Sequence, residues 1–77
     1  MSHDSSPDKL VRMANQIGAA FTTMPQQQAI AGAATHLRLY WTPKMIREII
    51  AFAESERADL NAIAAGAVTA LKNESVG

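Results

Sequence analysis

The sequence predicts a small all-α protein, a bundle of about four short helices that meet at capped corners. Apolar residues recur at spacings of three and four in four successive segments of the 77-residue chain. A proline follows a hydroxyl residue in Ser6-Pro7 and again in Thr42-Pro43, which is typical of helix starts. Alternating strand patterns and Asn-Gly-type turns are absent from the sequence.

A chain of this length forms one domain, which we expect to span residues 1–77 with frayed ends at 1–6 and 73–77. So short a chain buries only about 60% of its unfolded surface. The sequence has no cysteine, which excludes disulfides and cysteine-based zinc or iron–sulfur sites. A partner or a compact helical core must therefore supply the stability.

The first helix is expected to start with Ser6 as its cap, Pro7 at the first position and Asp8 near the positive end of the dipole. It should end in the segment 22–25, because the residue before a proline avoids the α region. Its apolar stripe is Leu10, Met13, Ala14, Ile17, Phe21 and Met24. The amides of Asn15 and Gln16 lie in mid-helix, where they either bond a partner's backbone or are solvated.

The second helix should begin near Pro25 or Gln26. Gly32 costs about 1 kcal/mol relative to alanine inside a helix, so we interpret it as a point of close packing. The apolar stripe of this helix is Ile30, Ala33, Ala34, Leu37 and Trp41. We assign Trp41 to the core, whereas Tyr40 fits the core and an interface equally well.

The third helix should follow the Thr42-Pro43 corner and run to about Glu54. Its apolar sector is wider than one neighbouring helix needs, with Ile46 and Ile50 at the edge. Either the bundle wraps that edge or a partner covers it.

A polar loop at 55–59 should precede the fourth helix, with Asp59 as its cap. The core stripe of this helix is Leu60, Ile63, Ala64, Ala67, Val68 and Leu71. Its outer face consists of small, uncharged residues that allow close packing: Ala62, Ala65, Gly66 and Thr69.

Charge is unevenly distributed although the net charge is zero, with no formal charge from Met13 to Leu37 when His36 is neutral. Depletion of charge is typical of the core of an interface. Pro25 and the glutamines at 26–28 interrupt any run long enough to span a membrane. The N-terminus lacks the features of a signal peptide, so we expect a cytoplasmic protein.

The sequence offers no catalytic arrangement: no paired carboxylates on an apolar face, no Ser–His–acid set and no Gly-rich phosphate loop. We therefore predict that the chain is not an enzyme. His36 is either a polar anchor for a ligand or a half-buried histidine, and we favour the second. Arg38, Lys44 and Arg47 form a basic corner that is either solvated or contacts an acidic partner or a phosphate.

Two segments together resemble a known family. Residues 9–18 read Lys-Leu-Val-Arg-Met-Ala-Asn-Gln-Ile-Gly, and residues 36–45 read His-Leu-Arg-Leu-Tyr-Trp-Thr-Pro-Lys-Met. In this order they resemble the delta subunit of NAD-dependent, molybdenum- or tungsten-containing formate dehydrogenases, over roughly residues 8–71. The sequence departs from the family pattern at Tyr40, Thr42, Lys44 and Ile46, where Phe, Asp, Arg and Arg are usual.

The resemblance implies a non-catalytic accessory subunit of a cytoplasmic complex, which docks on the catalytic subunit and supports complex stability or the insertion and retention of the molybdopterin cofactor. Bis-molybdopterin guanine dinucleotide, iron–sulfur clusters and FMN would belong to partner subunits, and this chain would bind no cofactor or metal. One alternative is a chaperone that leaves after assembly. Another is a generic helical module that binds protein or, less readily, nucleic acid, because Glu48 and Glu54 on the third helix repel phosphate.

We predict two sets of functional residues. The residues expected to contact the partner are Asn15, Gln16, Arg38, Tyr40, Lys44 and Arg47. The residues expected to form the internal corner between the second and third helices are Leu37, Trp41, Thr42, Pro43 and Met45.

Overall fold

The computed structural model describes residues 7–55 and 59–76, and these form four helices and no strand. The helices are α1 (Pro7–Ala20), α2 (Gln26–Tyr40), α3 (Pro43–Ser55) and α4 (Ala62–Val76). The predicted all-α bundle of four short helices is confirmed.

The corner between α2 and α3 has the geometry expected of a helix cap. The Oγ1 of Thr42 accepts a hydrogen bond from the backbone N–H of Met45 at 3.1 Å, and Pro43 is the first residue of α3. Trp41 ends α2 in an extended conformation, and its N–H still donates to the carbonyl of Leu37 at 2.8 Å. The Thr-Pro sequence therefore stops one helix and starts the next within three residues.

Helix α1 ends earlier than the apolar stripe predicts. The helix stops at Ala20, and the N–H groups of Phe21 and Met24 donate to carbonyls three residues back, each at 3.1 Å. The Oγ1 of Thr22 donates to the carbonyl of Ala19 at 2.9 Å. These tight turns satisfy the C-terminal carbonyls of α1 ahead of Pro25. The predicted cap Ser6 lies outside the described residues.

Helix α4 starts and ends at residues that differ from the predicted ones. Asn61, and not Asp59, caps α4, because its Oδ1 accepts the N–H of Ala64 at 2.8 Å. The helix then continues to Val76, so residues 73–76 are helical where a frayed tail was expected. An ion pair between Glu74 and Arg38 of α2 ties this last turn to the bundle. Residues 1–6 and 77 lie outside the described part of the chain.

The core is built around α4, which packs against each of the other three helices and most extensively against α2. Small residues make this contact close: a Cβ added at Gly66 would lie 2.5 Å from the Cδ1 of Ile30 on α2. Gly66 therefore faces α2, although the sequence placed it on the outer face. The buried apolar residues are Leu10, Val11, Ala14, Ala29, Ala33, Ala34, Leu37, Trp41, Ile49, Ala64, Ala67, Val68 and Leu71.

Gly32 is a second point of close packing, as the sequence predicted. A Cβ added there would lie 2.7 Å from the Cε1 of Phe21. The aromatic ring that follows α1 thus rests on α2 at a position where any side chain would push it away.

Candidate functional site

An open groove of about 450 Å³ lies at the end of the bundle where α2 ends and α3 begins. Three helices supply its walls, each through residues three or four positions apart, which share one helix face. The groove is lined by Arg38, Trp41, Pro43, Ile46, Arg47, Ile50, Leu71 and Glu74.

The floor of the groove is apolar. Trp41 is 6% exposed and Leu71 is 5% exposed, while Ile46 and Ile50 are partly buried against them. Ile46 and Ile50 are the two residues that the sequence placed at the edge of a wide apolar sector. The bundle does not wrap that edge, so the described chain leaves apolar surface open there.

The rim of the groove carries charge. Arg38 donates from Nε to Oε1 of Glu74 at 3.1 Å and from Nη2 to Oε2, which makes a bidentate pair. Arg47 also lines the groove, and within the described residues it has no ion-pair partner. The rim therefore combines one neutralised guanidinium with one that is available to another molecule.

Two large side chains are exposed at the end of α2, on residues that do not line the groove. Leu39 is 70% exposed and Tyr40 is 72% exposed. The ring of Tyr40 contacts the half-buried ring of His36, with centroids 4.6 Å apart and planes tilted by 42°. Lys44 is exposed on the first turn of α3, one turn before Arg47. Leu39, Tyr40 and Lys44 do not line the groove, so they form a separate exposed part of the surface at this corner.

Asn15 has an internal role that the sequence did not indicate. Its Nδ2 donates to the carbonyl of Asp59, and its Oδ1 accepts the N–H of Asn61, both at 2.8 Å. The Nδ2 of Asn61 in turn donates to the carbonyl of Asn15 at 3.0 Å. The side-chain amide of Asn15 therefore holds the start of α4. These internal bonds explain the polar residue in mid-helix, and no contact with another protein is needed to explain it.

The residues predicted to contact a partner do not form one cluster. Arg38 and Arg47 line the groove, with Tyr40 and Lys44 exposed at the same corner. Asn15 instead bonds the N-terminus of α4, about 20 Å along that helix from Glu74 at 1.5 Å per residue. Its neighbour Gln16 is exposed on α1 and lines no part of the groove.

Sequence reasoning missed three residues that shape these regions: Gly18, Asn61 and Glu74. Asn61 carried a usable signal, because asparagine is a preferred N-cap and it directly precedes an apolar helical pattern. Gly18 is buried, and a Cβ there would meet Asn61 and the backbone nitrogen of Ala64 at 3.1 Å. No local signal marks Glu74, whose partner lies 36 positions away.

The described residues include no group of three or more His, Cys, Asp or Glu side chains arranged to hold a metal ion. None of the described helices combines the length and the apolar character that crossing a membrane requires. One polar group stands out on α3: the Oε1 of Glu48 is buried and has no hydrogen-bond partner in the described structure.

Comparison with protein families assigns the chain. The family model for the delta subunit FdsD of NADH-dependent formate dehydrogenase matches residues 9–68, well over half of the chain. The chain therefore belongs to this family, and the resemblance of its two sequence segments is confirmed. Neither a curated protein nor a solved structure matches the chain at a significant level.

Proposed function

We propose that this member of the delta-subunit family is a non-catalytic subunit of a cytoplasmic, NAD-dependent formate dehydrogenase and docks on its catalytic subunit. Docking would stabilise the complex, or support the insertion or retention of the molybdopterin cofactor. The chain would act through its surface and would carry out no step of formate oxidation.

In this proposal the redox groups belong to the partners. Bis-molybdopterin guanine dinucleotide and iron–sulfur clusters would lie in the catalytic subunit, and FMN in the subunit that reduces NAD. Iron–sulfur clusters are held by cysteine thiolates, and this sequence has no cysteine.

The observation that carries the proposal is the open apolar groove, and Leu39 and Tyr40 add further exposed apolar surface at the end of α2. Burying Leu, Ile and aromatic side chains contributes about 1.5–3 kcal/mol each. Ile46 and Ile50 are only partly buried and Tyr40 is exposed, so the fold obtains only part of this stabilisation from them. A larger protein that covered them would supply the rest. Tyrosine and arginine are also the residue types most often found at the energetic centres of interfaces.

The proposal is tested by expressing the complex with and without this chain, with an affinity tag on the catalytic subunit. We expect the chain to be retained after affinity purification and size exclusion. We also expect complex made without it to dissociate more readily, or to contain less molybdenum and molybdopterin and reduce NAD more slowly with formate. A folded chain that shows no affinity for the catalytic subunit contradicts the proposal.

The same preparation separates two modes of action. A permanent subunit is present in the active enzyme in equal numbers with the catalytic subunit. A chaperone for cofactor insertion is absent from active enzyme but is captured by catalytic subunit that lacks cofactor. Quantitative mass spectrometry of both forms measures this ratio.

A further inference from the structure

We infer that the groove binds a segment of the catalytic subunit that presents large apolar side chains beside a carboxylate, and that Arg47 pairs with this carboxylate. This inference rests on the proposed function and adds to it the site of contact and the chemistry of the bound segment.

The shape of the groove supports an apolar segment. Pro43, Ile46 and Ile50 lie on one face of α3 together with Arg47, and α2 and α4 close the sides. The groove is open to solvent and has a volume of about 450 Å³, so it can accept side chains from the surface of another protein. Insertion of apolar side chains from an amphipathic segment is a common use of a groove between helices.

The charges on the rim specify a carboxylate. Arg38 and Arg47 contribute two positive charges and Glu74 one negative charge, which leaves the groove with a net charge of +1. Glu74 already binds Arg38 through both carboxylate oxygens, so the uncompensated charge is at Arg47. A guanidinium beside an apolar floor favours a carboxylate partner, since it binds two oxygens at once and gives up its hydration readily.

In the part of the chain that the structure describes, the most exposed apolar segment does not meet this requirement. Among the described residues, Leu39 and Tyr40 are the most exposed large apolar ones. Arg38 and Lys44 are the charged residues nearest to them in sequence. No acidic residue occurs between Asp8 and Glu48. Seating this segment of a second copy in the groove would bring cations next to Arg47, which is unfavourable. A phosphate ligand is also unfavourable in the groove, because Glu74 would repel its negative charge and the apolar floor would not solvate it.

The test uses the co-expressed complex with two groove variants, Arg47→Glu and Ile50→Asp. Each has a matched control on α1, where Arg12 and Ala19 are exposed: Arg12→Glu and Ala19→Asp. We expect each groove variant to lower the affinity for the catalytic subunit at least about tenfold, which is 1.4 kcal/mol. The controls should change it by less than about twofold. Arg47 is exposed, so Arg47→Glu tests the inference even if Ile50→Asp fails to fold.

A photo-crosslinker at position 46 identifies the bound segment in the same complex. The expected crosslink joins a peptide of the catalytic subunit that carries an acidic residue within about one helical turn of its apolar residues. Reversing the charge of that acidic residue to arginine should restore binding of Arg47→Glu.

The outcomes separate the two proposals. If the unmodified chain is not retained by the catalytic subunit, the proposed function is wrong. If the unmodified chain and Arg47→Glu are retained equally, only the assignment of the groove is wrong. A crosslink to a second copy of this chain, or to a segment without a carboxylate, also overturns the assignment, as does binding of nucleic acid that Arg47→Glu abolishes.

Discussion

Asn15 and Asn61 bond each other twice across 46 positions of sequence, and this reciprocal pair fixes the start of α4 against the middle of α1. The side chain of Asn15 accepts the backbone N–H of Asn61 at 2.8 Å, and the side chain of Asn61 donates to the backbone carbonyl of Asn15 at 3.0 Å. Asn15 thus satisfies the main-chain N–H of Asn61, which precedes α4 and has no helical partner, and Asn61 adds a second bond to the carbonyl of Asn15.

Replacing Asn15 with alanine should destabilise the fold by about 1–3 kcal/mol, because it removes two hydrogen bonds that hold the start of α4. Urea unfolding followed by circular dichroism measures this change. Gln16→Ala, at the exposed neighbouring position, should change the free energy of unfolding by less than about 0.5 kcal/mol. Equal effects of the two variants would show that the pair does not hold α4.

Alanine should destabilise the fold to different extents at two of the helical glycines. At Gly18 the added methyl group meets the backbone nitrogen of Ala64 at 3.1 Å, so we expect a net loss of about 1–3 kcal/mol from the clash. At Gly66 it meets the Cδ1 and Cγ1 atoms of Ile30 at 2.5 and 2.8 Å. The gain of about 1 kcal/mol in helix propensity offsets part of that clash, so the net loss should be smaller than at Gly18. Thermal unfolding of both variants tests this, and a more stable Gly18→Ala would refute it.

Alanine variants of Trp41 and its neighbour Tyr40 should affect different properties: the first the stability of the fold, the second the binding to the catalytic subunit. Trp41→Ala should cost about 3–5 kcal/mol of stability because it empties the floor of the groove, where the side chain is 6% exposed. Tyr40→Ala should change the stability by less than about 0.5 kcal/mol, since that side chain is 72% exposed. We expect it to weaken retention by the catalytic subunit instead.

These two effects are read from chemical unfolding of the isolated chain and from affinity purification of the complex. Trp41→Phe serves as the control for lost volume and should keep most of the stability. A Tyr40→Ala chain that is unstable would place Tyr40 in the fold and remove it from the interface.

The ion pair between Arg38 and Glu74 should contribute little to stability. Its side chains are 44% and 52% exposed, so a double-mutant cycle with alanine should give a coupling of about 0.2–1 kcal/mol. High salt should reduce this coupling further through screening. A coupling well above this range would mean that the pair is shielded from water and that the groove is more closed than it is in this structure.

Local patterns were enough to predict most of the fold. Pro7 and the Thr42-Pro43 pair mark the starts of α1 and α3 because a cap is decided by a few neighbouring residues. Helical spacing likewise predicted the buried stripes, including Leu37 and Trp41. Ile46 and Ile50 showed in sequence that the apolar sector of α3 was too wide for one neighbour.

The remaining features depend on contacts between distant parts of the chain. Asn15 lies 44 and 46 positions from its hydrogen-bond partners, so the sequence alone could not distinguish an internal amide from one that faces a partner. The extension of α4 to Val76 has the same origin, because Glu74 pairs with a residue of α2. Asp59 has the residue type of a cap, but Asn61 directly precedes the first residue of α4 and is the residue that caps it.

The position of α4 in the chain has a consequence for the timing of folding. Since α4 contacts all three preceding helices and follows them in sequence, the core cannot close before α4 has emerged from the ribosome. Nascent chains that end before residue 62 should therefore expose the buried faces of α2 and α3 and be sensitive to protease. Leu71 and Glu74 of α4 line the groove, so a partner that binds the groove would bind only chains from which α4 has already emerged.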